Sequence, residues 1–126
     1  MTAHRVLLDG TDAHFEQHGD DTLLRAALRA GHGIPYECNA GGCGSCRFQV
    51  LDGEVAHLWP DAPGLSDRDR RRGRLLACQT SARSDVTIAV RTSQEYTAGP
   101  SPRRHDAELV EVEPVTHDMR RFVLRT

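Results

Sequence analysis

Cys38, Cys43, Cys46 and Cys78 are the only cysteines in the chain, and their spacing is Cys-x4-Cys-x2-Cys followed by thirty-one residues to the fourth. Thiolates spaced in this way hold a [2Fe–2S] cluster, two irons bridged by two sulfides with four cysteine ligands. Such a cluster is doubly negative when oxidised and triply negative when reduced, so its surroundings must compensate that charge. Ala40, Gly41, Gly42, Gly44 and Ser45 carry little or no side chain. The backbone can therefore wrap closely and aim N–H groups at the sulfurs, which makes Gly41, Gly42, Gly44 and Ser45 candidate cofactor-binding residues beside the four cysteine metal ligands.

Other chemistry fits these residues less well. A structural zinc site draws on two close pairs of ligands, and the second pair is missing here. Cys43-Gly44-Ser45-Cys46 as a redox dithiol would need to open a helix within a βαβ unit. The seven histidines do not pair with cysteines at the spacing of a Rieske centre. Gly31-His32-Gly33 follows a helical pattern and lacks the third glycine of a dinucleotide fingerprint.

The elements that must position the thiols are legible on either side. Arg5 to Leu8 and Ala13 to Gln17, joined by Asp9-Gly10-Thr11, predict a β-hairpin. A helix follows, with Asp20 and Asp21 as N-cap candidates, an apolar stripe at Leu23, Leu24, Ala27 and Leu28, and Gly31 just past its end. Glu37 to Cys46 has too little apolar surface for helix or strand and reads as a structured loop. Phe48 and Val50, and later Val86, Ile88 and Val90, alternate as strands do. Between them Ser66 to Arg74 predicts a short polar helix after a Pro60 to Gly64 turn, and Leu75-Leu76-Ala77 should anchor Cys78. Trp59 reads as an aromatic lid over the small core, or as part of an electron path or docking surface. Arg68, Arg70, Arg71, Arg72 and Arg74 form a basic run, either a solvated helix face or a docking surface for an acidic partner.

Composition bounds the remaining possibilities. The chain has 126 residues, 38% hydrophobic and 27% charged, room for one polar domain and the beginning of a second. Its net charge of −2 argues against nucleic acid as the main partner. All sixteen basic residues are arginine, a bias of composition to which no mechanism is attached. No apolar run approaches a bilayer span, and no export signal precedes the cysteines, so a cytoplasmic protein is expected and a metal or redox role is favoured over disulfides. Gly99, Pro100, Ser101 and Pro102 mark a linker, beyond which Leu109 to Val115 and Phe122 to Leu124 resume strand-like patterns.

Taken together, Cys38-Asn39-Ala40-Gly41-Gly42-Cys43-Gly44-Ser45-Cys46 and Leu75-Leu76-Ala77-Cys78-Gln79 resemble the plant-type ferredoxin domain of bacterial oxygenase reductases. Asp21-Thr22-Leu23-Leu24, Pro35-Tyr36-Glu37-Cys38 and Leu58-Trp59-Pro60-Asp61-Ala62-Pro63-Gly64-Leu65 are similar to the reductase component of toluene monooxygenases, within the soluble di-iron multicomponent monooxygenases. The resemblance implies an α+β β-grasp fold, a mixed sheet with one main helix. It also implies that Cys38 and Cys43 ligate one iron, and Cys46 and Cys78 the other. Leu109-Val110-Glu111-Val112, Thr116-His117-Asp118-Met119 and Phe122-Val123-Leu124 look like the opening of an FAD-binding β-barrel. The expected organisation is a ferredoxin domain over 1–95, a linker over 96–104 and the truncated start of a flavin domain over 105–126, with FAD and NAD(P)H bound by parts this chain lacks. The implied function is one-electron relay from NAD(P)H, through a flavin, to the oxygenase component of a mono- or dioxygenase acting on aromatic hydrocarbons. This chain would be a monomer with no catalysis of its own, and its acceptor a Rieske ferredoxin or the hydroxylase itself. The alternatives are a self-standing ferredoxin reduced by a separate reductase, and a zinc-stabilised interaction module.

Overall fold

In the computed structural model, which describes residues 3–97 and 104–126, the strand order of the main sheet is β2-β1-β7-β3-β5. β1 (Ala3–Leu8) and β2 (His14–His18) form the expected antiparallel hairpin, with Val6 opposite Phe15. Alternation puts Val6, Leu8, Phe15 and Gln17 on the inner face. Gln17 is buried because both ends of its amide are used: Oε1 accepts from the Ala82 N–H and Nε2 donates to the Gly19 carbonyl.

α1 (Leu23–Arg29) lays Leu23, Leu24, Ala27 and Leu28 onto that face. Its N-cap is Thr22, whose Oγ1 accepts from the Arg25 N–H at 3.2 Å, and not the expected Asp20 or Asp21. Asp21 is instead buried, paired with Arg29 and accepting from the Thr22 N–H at 3.0 Å. The cap shifts to the next residue because Asp21's carboxylate is used by Arg29 and the Thr22 N–H, leaving the Thr22 hydroxyl to cap the helix.

β3 (Arg47–Asp52) then runs antiparallel to β7 (Val86–Ala89), with a bulge between Val50 and Asp52, while β7 pairs in parallel with β1, Val6 beside Val86 and Leu8 beside Ile88. β5 (Arg74–Leu76) closes the other edge against β3. A second ladder, unforeseen in the sequence, joins β4 (Val55–His57) to β6 (Thr80–Ala82). α2 (Asp67–Arg71) is the short polar helix expected, opened by a reciprocal Ser66–Asp69 capping box. This is the β-grasp arrangement, a five-stranded mixed sheet with one main helix across it.

The sheet ends at Ala89, but the domain continues a little further. The Ser93 N–H donates to the Gly33 carbonyl at 2.9 Å and the Tyr36 and Tyr96 rings lie 6.2 Å apart. The expected Gly99–Pro102 linker signal falls outside the described residues. Beyond it β8 (Glu108–Pro114) and β9 (Arg120–Arg125) form a hairpin whose strands pair only with each other among the described residues. Leu109, Val112, Phe122 and Leu124 are all exposed there.

Candidate metal centre

The cysteine loop is held in shape by its own small residues. Asn39 sits at φ +52°, a conformation that asparagine tolerates better than most side chains, and Gly41 and Gly44 at +90° and +77°. These turns point N–H groups inward at sulfur: Ala40 and Gly42 donate to Cys38 Sγ at 3.3 Å each, and Ser45 donates to Cys43 Sγ at 3.4 Å. Space is limited from outside as well. A Cβ on Gly44 would stand 2.4 Å from the Gly64 carbonyl oxygen, and one on Gly41 would stand 2.9 Å from Trp59 Cε3. Gly42 meets only Cys38 Sγ at 3.9 Å, so its contribution is its N–H rather than its lack of a side chain.

Trp59 therefore lies over the cysteine loop and not as a lid over the core, the first of the two places expected for it, and the residue is 42% exposed. The segment that carries it is tied down from both sides. The Gly64 N–H donates to the Gly41 carbonyl at 2.8 Å, and the Arg70 guanidinium donates to the carbonyls of Pro60 and Ala62 at 3.2 and 3.0 Å.

Cys78 reaches the loop from the end of β5, beside the start of β3. Leu76 and Ala77 are fully buried, as the anchoring role required, and the Ala77 N–H donates to the Cys46 carbonyl at 3.0 Å. Behind this junction is a group whose importance the sequence does not show. Asp69, only 2% exposed, accepts from Arg47 and Arg74, each at 3.2 Å, one residue past Cys46 and four before Cys78. Hydrogen bonding from the Ser66 N–H, opposed by burial and reinforced by the Ser66 hydroxyl and the two guanidinium groups, holds its carboxyl far below the usual range. In sequence Asp69 looks like one more charge on a polar helix; the one signal that could have found it is its capping-box spacing from Ser66.

All four thiols are free, Cys38 and Cys43 exposed and Cys46 and Cys78 buried. Burial works against ionising Cys43, but hydrogen bonds from Ser45 and Cys38 outweigh it and lower the thiol to about 6. Cys46 is lowered to about 7, chiefly by the Cys78 side chain, while sharing with Cys46 and then burial push Cys78 upward. Among the described residues no three His, Cys, Asp or Glu side chains converge on one ion position. The arrangement offers four thiols, two of them eased toward ionisation, and preset N–H donors around sulfur, a donor set that suits a two-iron cluster.

Comparison with known proteins agrees with this chemistry. The family model of the 2Fe-2S iron-sulfur cluster binding domain matches residues 6–83. The chain is 51% identical over 106 residues to the ferredoxin–NAD(P)+ reductase CarAd of Metapseudomonas resinovorans, covering 83% of this chain and 32% of that one. It is 48% identical over 111 residues to the ferredoxin–NAD+ reductase component of the alkene monooxygenase system of Xanthobacter autotrophicus, covering 87% and 34%. The solved ferredoxin reductase of carbazole 1,9a-dioxygenase superposes with a TM-score of 0.92 at 42% identity, over 98% of this chain and 39% of that one. The chain thus spans about a third of the length of the curated relatives it matches.

Proposed function

We propose, since this chain belongs to the 2Fe-2S iron-sulfur cluster binding domain family, that Cys38, Cys43, Cys46 and Cys78 are its cluster ligands and that it carries single electrons inside an oxygenase reductase. The observation that supports this reading most directly is the Cys38–Cys46 loop itself, whose backbone N–H groups are already aimed at the two exposed sulfurs. When bound, the cluster supplies a one-electron couple between a two-electron donor and a one-electron acceptor.

The chain's residues do the rest. Ala40, Gly42 and Ser45 present N–H donors to the thiolate sulfurs, which favours added negative charge there. Gly41, Gly44 and Gly64 let the cysteine loop and the 59–64 segment approach closely enough to shield that charge from water on the inner side. Leu76 and Ala77 keep the Cys78 side dry, while exposed Cys38 and Cys43 face solvent, where a partner can come near.

In this reading 1–95 is the ferredoxin domain, 96–104 a linker and 105–126 the start of a flavin domain. The support is the hairpin β8–β9, which pairs with no other strand of the described residues and exposes Leu109, Val112, Phe122 and Leu124, apolar groups that need further chain to bury them. Electrons would come from NAD(P)H by way of FAD bound in that following part, and leave to the oxygenase component, whether a Rieske ferredoxin or a hydroxylase. No helix of the described residues is long and apolar enough to cross a membrane.

The test is chemical analysis of anaerobically purified chain, with each cysteine replaced by serine in turn. Two irons and two acid-labile sulfides per chain, an EPR signal only after reduction, and a low potential on the order of −400 mV are expected. Stoichiometric zinc, or a full cluster retained in any one of the four variants with an unchanged EPR spectrum, would refute the ligand assignment.

A further inference from the structure

On the solvent face of the sheet's β5 edge, next to the cysteine loop, lies an open cavity of about 420 Å3. Its floor follows from register: Gln49 of β3 is flanked by Arg74 on β5 and Ala89 on β7. Strand alternation turns these outward while Phe48 and Ile88 point into the core. Ser45 and Arg47, the neighbours of Cys46 in the chain, and Arg91, two residues past Ala89, complete its lining.

The charge in this cavity is one-sided. Arg47, Arg74 and Arg91 line it and no acidic residue does. Asp69 binds Arg47 and Arg74 from behind, through one nitrogen of each, so both guanidinium groups keep N–H donors free to face the cavity. Arg91 has no hydrogen bond or ion pair with the described residues. Three cations against one carboxylate leave two positive charges around an open space bounded by a serine hydroxyl. The rest of the basic run is used differently: Arg70 is spent on the carbonyls of Pro60 and Ala62, and Arg68 and Arg71 lie on the exposed face of α2.

We infer that this cavity is a docking socket for a carboxylate side chain of the electron-partner protein, seated by Arg47, Arg74 and Arg91 beside the buried thiol pair. A planar guanidinium fork matches a carboxylate bidentately, which fixes orientation as well as adding attraction. The socket begins one residue from Cys46, so a partner anchored there is held near the cluster, as electron transfer needs. The inference rests on the electron-carrier reading for the identity of the occupant, but not for the presence of the site.

Its position makes the socket sensitive to redox state. Reduction adds one negative charge near the socket; for a separation on the order of 10 Å in partly aqueous surroundings, it should weaken carboxylate binding about threefold. By reciprocity, a bound carboxylate must make the cluster harder to reduce by the same factor. At 59 mV per tenfold for one electron, that is a midpoint lowered by about 28 mV.

The experiment uses the cluster-loaded full chain and an acetylated, amidated tetraglutamate peptide, with tetraglutamine as the neutral probe and inorganic phosphate as the free anion. Binding is followed by calorimetry at fixed low ionic strength, and the midpoint by potentiometry with and without peptide. Tetraglutamate should bind and tetraglutamine should not, with affinity about threefold weaker after reduction. Arg91→Glu should weaken binding at least tenfold and abolish the midpoint shift, with its visible and circular dichroism spectra unchanged; Arg91→Gln should do so less. The double variant Arg68→Glu/Arg71→Glu should stay within twofold of the native chain. Absent binding, or binding lost in the double variant but kept in Arg91→Glu, would overturn the socket. Phosphate binding more tightly than the peptide, with the same dependence on Arg91, would overturn its assignment to a protein carboxylate. A chain that binds peptide but holds no cluster would instead refute the electron-carrier reading and leave the socket standing.

Discussion

Replacing Gly44 by alanine tests the account of the cysteine loop most sharply, because two separate costs meet at that position. An L side chain at φ +77° costs roughly 1–2 kcal/mol. Its Cβ would also stand 2.4 Å from the Gly64 carbonyl oxygen, so one backbone must retreat by about 1 Å to reach van der Waals distance. Gly64 cannot retreat freely, since its N–H is bound to the Gly41 carbonyl at 2.8 Å and the Arg70 guanidinium holds the segment before it. Overpacking of this kind adds about 1–3 kcal/mol, giving roughly 2–5 kcal/mol in all. Gly10 supplies the reference: its φ is +79°, nearly the same, but a Cβ there meets nothing within 4 Å. Gly10→Ala should therefore cost only the backbone part, about 1–2 kcal/mol. Thermal unfolding of both cluster-loaded variants, followed by visible absorbance and far-UV circular dichroism, separates the two. At roughly 4 °C per kcal/mol for a domain of this size, Gly44→Ala should melt at least 4 °C below Gly10→Ala, with its midpoint potential also displaced. Equal losses in the two variants would mean that the loop and the Gly64 segment are not in rigid contact, and the shielding argument would fail with it.

Asp69 is harder to protonate in the folded chain than in the unfolded one, where its pKa is near 4, so below about pH 4 the unfolded chain binds more protons and stability falls as pH drops. Denaturant titrations from pH 7 to 3 should show that loss in the native chain and a flatter profile in Asp69→Asn, which at pH 7 is weaker by about 2–3 kcal/mol because Arg47 and Arg74 lose their partner; parallel profiles would contradict the ion-pair account. Deleting 105–126 should leave the visible spectrum and midpoint unchanged and alter stability by no more than roughly 1 kcal/mol, since β8 and β9 pair with no strand of the main sheet; a bleached or unfolded product would make the hairpin integral to the domain.

Features encoded in neighbouring residues were legible from the chain alone. The four cysteines with small residues between them, the hairpin around Asp9-Gly10, the stripe of α1 with Gly31 after it and the short polar helix α2 each depend on spacing over a few residues, where chain geometry leaves few options. The strands of the hairpin β8–β9 were also visible as alternation. Features made by distant segments were not legible. Val55–His57 is too short to show a period, and it becomes a strand only because Thr80–Ala82 comes alongside. Trp59 could be placed over the loop only once Gly64 was seen bonded to Gly41. Asp69 and the arginines of one basic run look alike in sequence. Folding buries Asp69 between Arg47 and Arg74, ties Arg70 to a loop backbone and leaves Arg68 and Arg71 in solvent. A residue's type limits what it can bond, but its partner is chosen by which strands and helices pack around it, and that depends on contacts between residues far apart in the chain.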